Sequence, residues 1–534
     1  MVKVLLVFTH QLLPFRLEEV DSICSLFNIA IRYDREAFLA VNEETPFLWA
    51  DFDALDDARL VVERSLTVKV ALDVWGQCQG DAYEVLLAMV AEGRKEELSE
   101  RHLESFKFEV HRFGASITMP EKLERINRFS AVMANHGKVE LTVPQRVYWL
   151  IEDWGLPNPK LGKGQKPLAV YFGRQLGTSA KNSAAVDRYS LQKRKYLGTT
   201  SMRPDLSFLA ANQAKARKGS LVMDPFVGTG SLMIGCAHFG ALAVGSDIDA
   251  RVLRGTMKSP HVPPGANLDN ANVFDNFRQY GMAQQLCGLV IQDSAHSAWR
   301  AAPLLDAIVC DPPYGVRAGA KTIRPASMPS KRQLARAAAN VATNVVSSSP
   351  GSSSPSSSPP SAKKQRPHDG TDHLLDDESP IPLIDSTSLE QQPAEGQVEG
   401  PVGKWRVPRF IEYGFGAVLV DLLNFALERL VMGGRLVFWI PTNHHFHAGE
   451  LPVHPSLRFV GASMEKLTRA CARVLVTMEK TAPFDRAVDA AVPPIPLERL
   501  ATLSFANFGY EYFGEDSTRQ KLIVPQSPTC SSSV

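Results

Sequence analysis

Apolar positions in this chain repeat with two periods, and each change of period marks where a strand gives way to a helix. Val2 to Phe8 is an apolar run that predicts a strand, and Leu17 to Phe27 carries its apolar residues at helical spacing. Ser65 to Val74 predicts a second strand, Ala82 to Glu92 a helix, and Phe106 to Arg112 an alternating strand. Pro120 to Met133 then sets Leu123, Ile126, Phe129 and Val132 on one helical face, and Val139 to Val143 alternates again. Up to about residue 175 this mixture predicts small α+β modules rather than one doubly wound sheet.

From Gly219 the pattern becomes regular. Ser220 to Met223, Ala241 to Gly245, Gly288 to Ile291 and Leu305 to Cys310 are short and almost wholly apolar, as suits strands buried on both faces of a parallel sheet. Leu232 to Phe239 and Asn272 to Gln284 predict helices between them. Residues 324–403 hold a Ser/Pro run, the basic Lys363-Lys364-Gln365-Arg366 and a polar acidic stretch, too little apolar material for a core, and predict a disordered insertion. The regular pattern resumes with a helix over Ala417 to Leu430, a strand over Gly434 to Ile440, a helix over Leu467 to Ala472 and a last strand over Arg473 to Glu479. The expected organisation is therefore an N-terminal region (1–175), a basic linker (176–218), an α/β domain made of 219–323 and 404–482, and a weakly ordered C-terminal extension (483–534) whose pattern assigns no role.

Composition changes this picture little. A chain of 534 residues, 44% hydrophobic, suits two or three domains with sizeable cores. The net charge of +1 leaves any nucleic-acid contact to local charge. Between Lys160 and Arg203 there are ten basic residues and one acid, Asp187, a local net of +9, interleaved with Tyr171, Phe172, Tyr189 and Tyr196. Cations for phosphates and rings for bases are the footprint of an RNA-binding surface, although a solvated linker would also be basic. Its candidate contacts are Arg174, Lys193, Arg194 and Lys195. The seven cysteines include no Cys-x-x-Cys pair, which argues against a disulfide framework or zinc site and for a reducing, cytoplasmic compartment. Val4 to Phe8 is too short for a signal segment. Asp421, Glu428, Arg429 and Gly433-Gly434 interrupt the longest later apolar region, so no membrane span is expected.

The chemistry gathers where strands end. Four successive predicted strands end in Asp224, Asp247, Asp293 and Asp311, which puts four carboxylates on one edge of one sheet, the edge where α/β sheets bind ligands. Asp224-Pro225-Phe226-Val227-Gly228-Thr229-Gly230-Ser231 is a strand-to-helix turn whose glycines allow close approach of a ligand. It lacks the Gly-Lys-Ser/Thr ending of a phosphate loop and the Gly-x-Gly-x-x-Gly of a dinucleotide site. An acid at its head favours a cationic ligand, and a sulfonium bearing an amino-acid ammonium meets that demand. Asp247 is then placed for two ribose hydroxyls and Asp293 for an adenine amine, with Pro225, Phe226, Gly228, Gly230, Ile248 and Ser294 lining the cofactor site. Asp249 and Asp293 equally suit helix N-caps. Asp311-Pro312-Pro313-Tyr314 provides the catalytic residues: Asp311 and the Pro312 carbonyl accept from an exocyclic amine, the prolines stiffen the turn, and Tyr314 stacks on the base. A plain strand with a Pro-Pro turn would carry the same four residues.

With these residues in view, the chain resembles the S-adenosylmethionine-dependent amino-methyltransferases that modify exocyclic amines of bases. Within them it is similar to the catalytic subunits of the tRNA (guanine(10)-N2)-methyltransferases. The resemblance is carried by Tyr171-Phe172-Gly173-Arg174, Lys193 to Gly198, Thr200-Ser201-Met202, Ala210 to Ala214, Ala237 to Ala241 and Gly433 to Thr442. It implies a ferredoxin-like piece and a THUMP RNA-binding domain, a Rossmann-like class I methyltransferase domain with a mostly parallel seven-stranded sheet, and tRNA as substrate. It further implies a small zinc-binding activator subunit that covers an apolar patch of the methyltransferase domain. Relatives commonly have an acid where Arg203 stands, so the lid near the cofactor is expected to differ here.

Three rivals stay open at this point. The tetrapeptide alone does not separate guanine N2 from adenine N6 methylation. A non-catalytic RNA-binding scaffold would need no intact row of carboxylates, and an oxidoreductase would need the missing dinucleotide fingerprint.

Overall fold

The computed structural model describes residues 1–41, 45–94, 104–133, 137–156, 166–198, 200–256, 271–314, 321–323, 410–412, 414–469, 471–500 and 502–505. One compact unit comprises 1–322 and 411–534; the other, 323–410, lies almost wholly outside the described residues, and with it the expected insertion 324–403.

The N-terminal strands are β1 (Val2–Phe8), β2 (Ile31–Arg32), β3 (Phe47–Phe52), β4 (Val68–Gln79), β5 (Phe106–Phe113), β6 (Arg146–Asp153) and β7 (Ala169–Thr178). They join in a single mixed sheet, ordered β2-β3-β1-β4-β7-β6-β5. Strand β1 is apolar throughout because both its faces are covered, Val4, Leu6 and Phe8 in one cluster and Leu5 and Val7 in another. The 12-residue β4 pairs with β1 on one side and β7 on the other, so the small modules read from the sequence share one sheet. Val139 to Val143 is not a strand: only Val139 makes a bridge, to Phe106, and Val139, Leu141 and Val143 are 64%, 73% and 78% exposed. Their alternation finds no apolar face to cover.

The second sheet contains β8 (Leu221–Asp224), β9 (Leu242–Asp247), β10 (Leu286–Ile291), β11 (Leu305–Cys310), β14 (Leu430–Thr442), β15 (Leu457–Lys466) and β16 (Ala472–Lys480). Two short strands, β12 (Lys321–Ile323) and β13 (Phe410–Glu412), intervene in the chain. The order is β10-β9-β8-β11-β14-β16-β15, with the first five strands parallel and β16 antiparallel to both its neighbours, β14 and β15, the Rossmann-like arrangement expected. Leu467 to Ala472 is a hairpin turn rather than a helix, closed by Leu467 and Thr468 N–H groups that both donate to the Cys471 carbonyl at 2.9 Å. Part of the C-terminal extension packs on this domain. Val492, Leu503 and Phe505 are buried, and the Val492 N–H donates to Asn424 Oδ1 at 2.8 Å.

The stretch between the sheets is folded. It carries helices Ala180–Arg188 and Pro204–Gln213, the second buried at nine of its ten positions. Glu19, fully buried on helix Arg16–Phe27, accepts from Ser65 Oγ, Leu66 N, Thr67 N, Thr67 Oγ1 and, across to the second helix, Asn212 Nδ2 at 2.6–2.8 Å. Arg64 donates to Asn212 Oδ1 and the Ala216 carbonyl at 2.7 and 2.6 Å, with its guanidinium 3.3 Å from the Phe239 ring centroid. A buried carboxylate with five donors stays in place, because each hydrogen bond to a charged group contributes about 1.5–3 kcal/mol. The two sheets are thus held by a buried polar contact. Among the described residues no helix is long and apolar enough to cross a membrane.

Candidate active site

From β8 the chain steps outward to β9 and β10, then returns to β11 on the other side of β8. Parallel sheets bind ligands at the carboxyl ends of strands where the order reverses. Asp224 ends β8 and Asp311 follows β11, so these two acids flank the reversal, while Asp247 ends β9 and Asp293 stands two residues beyond β10. Along the edge the order is Asp293, Asp247, Asp224, Asp311. The row of acids expected from the sequence is therefore present, on a single rim.

Asp224 is 2% exposed and accepts from the Phe226 N–H at 2.9 Å. Burial pushes its pKa well above the carboxylate range, and the charges of Asp247 and Asp311 add to that. Burial also raises Asp247, although the N–H groups of Asp249 and Gly228 donate to its two oxygens at 2.9 and 3.0 Å. The two loop glycines serve different ends. Gly230, at φ +82°, is required by packing, since a Cβ there would lie 2.9 Å from Val273 Cγ1. Gly228, at φ +50°, leaves room, its nearest neighbour to such a Cβ being the Phe226 carbonyl at 3.9 Å. Pro225 is buried, and Phe226, Ile248 and Ser294 are half-buried around the loop.

Asp249 and Asp293 are both N-caps, accepting from Arg251 N and Ala295 N at 3.0 Å. The second Asp293 oxygen takes the Thr322 hydroxyl at 2.7 Å and faces His296 Nδ1 at 3.1 Å. An adenine amine would share a carboxylate already engaged on both oxygens.

At the other end of the row the Tyr314 hydroxyl donates to Asp311 Oδ1, and the Tyr314 ring meets Phe415 edge-on at 5.8 Å. Pro312 is buried and Pro313 half-buried. Burial raises the pKa of Asp311, opposed by the Tyr314 hydrogen bond and the charge of Arg473. Arg473, a residue the sequence reading did not single out for the site, is the second residue of β16, with its Nε 2.5 Å from Glu465 Oε2. Glu465 also meets Arg203 at 3.7 Å. The one available signal was a cation just ahead of the apolar run Val474 to Val476.

The basic segment divides. Lys193 and Lys195 are exposed, and Arg174 on β7 pairs with Asp73 at 3.0 Å while bordering, with Arg59 and Arg146, a groove of about 390 Å³. Arg194 is not on the surface: it is 3% exposed and donates to Ser231 Oγ at 2.6 Å. Phe172, Tyr189 and Tyr196 are likewise buried, so these rings fill cores and offer no stacking face to a base. Alternation along an extended segment turns every second side chain inward, and composition does not say which.

An acceptor-rich rim whose neighbouring cation, Arg473, is already paired with Glu465 suits a ligand that brings positive charge and hydroxyl donors. S-adenosylmethionine carries a sulfonium, an ammonium and a ribose diol, and the donor set fits it. The same crowding of like charges has a stability consequence. A carboxyl whose folded pKa is raised costs nothing below the unfolded pKa, about 4, and destabilises increasingly as pH rises through the folded value. Asp224→Asn is therefore expected to leave the melting temperature unchanged near pH 4 and to raise it by a few degrees near pH 8, while weakening cofactor binding. Scanning fluorimetry across pH, paired with calorimetry, checks both; a melting temperature lowered at high pH would contradict the reading.

Residues 2–181 match the Tmrp11 THUMP N-terminal domain, and residues 192–349 match the RMKL-like methyltransferase domain. The chain is similar to the tRNA (guanine(10)-N(2))-methyltransferase TRMT11 of Dictyostelium discoideum, 30% identical over 504 residues that cover 91% of this chain and 84% of that protein. It is also 30% identical to the Homo sapiens protein of that name over 490 residues, covering 90% and 89% of the two. Among solved structures, TrmN from Thermus thermophilus aligns over 90% of this chain and 99% of its own, at 15% identity and a TM-score of 0.36.

Proposed function

The chain belongs to the tRNA (guanine(10)-N(2))-methyltransferase TRMT11 family, and on that premise we propose that the rim from Asp293 to Asp311 is its active site, where S-adenosylmethionine methylates the N2 amine of guanosine 10 in tRNA. The observation that carries this reading is the pair Asp224 and Asp311 on either side of the strand-order reversal, with Asp311 and Tyr314 side by side.

Bound S-adenosylmethionine supplies an electrophilic methyl on a sulfonium. Asp224 faces the positive charge, Asp247 takes the ribose hydroxyls, and Asp293 with Ser294 borders the adenine. Gly228 and Gly230 keep the main chain thin there, and Pro225, Phe226 and Ile248 close the apolar side. The target guanine leaves its stack at a cost of a few kcal/mol. Its amine is a weak nucleophile because the nitrogen lone pair is delocalised into the ring. Asp311 and the Pro312 carbonyl accept its two N–H groups, draw the nitrogen towards tetrahedral geometry and aim the lone pair. To do so Asp311 exchanges the Tyr314 hydroxyl for the substrate amine, which frees the Tyr314 ring to stack on the base, while Pro313 stiffens the turn. With its pKa held up by burial, Asp311 is the better acceptor for the proton the amine releases.

Arg174, in the groove with Arg59 and Arg146, and the exposed Lys193 and Lys195 contact tRNA phosphates. The zinc-binding activator adds to the outer edge of β10. This strand, Leu-Cys-Gly-Leu-Val-Ile, pairs only with β9 among the described residues and leaves Ile291 45% exposed, an open apolar edge of the kind another chain extends. The unpaired described cysteines suit the reducing cytoplasm.

One experiment addresses substrate and partner together. The chain is purified from its host, its companions are identified by mass spectrometry, and tRNA methylated by the complex is digested to nucleosides. N2-methylguanosine and a small zinc protein are expected; N6-methyladenosine, or an unmodified product, would reject the assignment.

A further inference from the structure

The short segment that opens the methyltransferase half has two faces. Lys193 and Lys195 are exposed, whereas Arg194 and Tyr196 between and after them are buried. Inward, Arg194 donates to Ser231 Oγ at 2.6 Å and to the Tyr189 carbonyl at 3.3 Å. The Tyr196 N–H donates to Asn276 Oδ1 at 2.9 Å, and Asn276 Nδ2 donates back to the Tyr196 carbonyl at 2.8 Å and on to the Thr229 carbonyl at 3.1 Å. Three residues along the same helix, Gln279 accepts from Lys195 N at 2.9 Å and donates to the Lys193 carbonyl at 2.6 Å. Ser201 then closes the far end, its hydroxyl 2.8 Å from that of Thr229.

Helix Val273–Gln279 therefore grips the backbone of residues 193–196 with two side-chain amides, while Val273 sits under Gly230. Asn276, fully buried, ties the backbone of this segment to the backbone of the glycine loop, beside the side-chain contacts of Arg194 with Ser231 and of Ser201 with Thr229. Thr229 to Ser231 is thus held from both ends by a strap whose outer face carries two ammonium groups.

Resting on the reading of Asp224 to Ser231 as the methyl-donor loop and of Lys193 and Lys195 as tRNA contacts, we propose that residues 193–198, together with Ser201, couple tRNA binding to methyl-donor affinity, with Asn276 as the main positioning residue through which the coupling passes. Phosphates on Lys193 and Lys195 hold the strap in its docked position, and the docked strap holds the loop through Asn276 and Ser201. Whichever ligand arrives first suppresses excursions of the strap from this hydrogen-bonded position, and the second finds it already held. Such coupling is reciprocal, so the donor tightens tRNA by the same factor.

The test is isothermal titration of S-adenosylhomocysteine into the full-length chain, alone and saturated with tRNA. For the native protein tRNA is expected to tighten S-adenosylhomocysteine at least about fivefold. Asn276→Ala is expected to bind it about tenfold more weakly and with the same affinity whether or not tRNA is present, while tRNA binding to the donor-free protein is retained. Should that variant fail to fold, Ser201→Ala, which removes the hydroxyl that accepts from Gly198 N and meets Thr229, is expected to stay folded with a melting temperature lowered by a few degrees and to reduce the coupling. Equal affinities with and without tRNA in the native protein, or full coupling in both folded variants, would overturn the proposal and leave the donor site standing. Absence of S-adenosylhomocysteine binding to the native protein would instead remove the donor-site reading, and this proposal with it.

Discussion

Asp311→Ala is expected to lower the rate of tRNA methylation about a thousandfold, by analogy with the loss of one preorganised polar group at a reacting centre. Tyr314 and the Pro312 carbonyl remain, but one of the two acceptors that shape the amine is gone. Affinity for S-adenosylhomocysteine and for tRNA should change little, because the proposed contacts of Asp311 are with the amine in its reacting geometry. The loss belongs in kcat rather than KM. Asp311→Asn separates the two parts of its role. Asparagine keeps one acceptor oxygen in the same place, so the amine is still oriented, while a proton can no longer be taken up. A rate for Asp311→Asn far above that of Asp311→Ala assigns the larger share to orientation, and equal rates assign it to the proton. Turnover of Asp311→Ala at the native rate, measured with methyl-labelled donor on unmodified tRNA, would remove Asp311 from the active site.

Asp247→Ala is expected to weaken S-adenosylhomocysteine at least about 100-fold, since hydrogen bonds to a charged group contribute roughly 1.5–3 kcal/mol each and two hydroxyls are lost together. Gly228 N and Asp249 N also lose their acceptor, so the loop loosens as the ligand contacts go. Asp247→Asn keeps one acceptor oxygen and should fall between the two. Calorimetry reads the affinity, and tRNA binding by the same variants serves as the control. An unchanged donor affinity would move the ribose to another acid of the rim.

Both predictions concern residues that stood out before the fold was known, and the reason is physical. A buried parallel strand is a short apolar run, so its last residue can be located within one or two positions, and an acid there has one place to go. Asp224, Asp247 and Asp311 were found this way. Helix ends were nearly as legible, since Gly240 and Asn272 punctuate them. The N-terminal sheet was harder. Strands β3 and β7 were missed because charged and polar residues such as Asp51 and Arg174 interrupt their apolar runs, β6 was missed although Val147 to Ile151 is an unbroken run, and the Val139 to Val143 pattern was misread because alternation shows only that a face could be buried. Arg194 fell to the same ambiguity. Asn276 left one faint mark, a polar residue on the helical stripe shared with Val273, Phe277 and Tyr280.

By itself the sequence determined six of the seven strands in the sheet of the catalytic half, missing β15, together with the residues at its strand ends and the chemical character of the ligand they attract, because burial, turn geometry and charge are local properties of a few consecutive residues. Only the tertiary structure decided which basic residues face out and which hold the glycine loop. It alone decided that Asp293 is engaged on both oxygens and that Arg473 stands near Asp311. Those outcomes depend on partners tens to hundreds of positions away, and no local pattern names the partner.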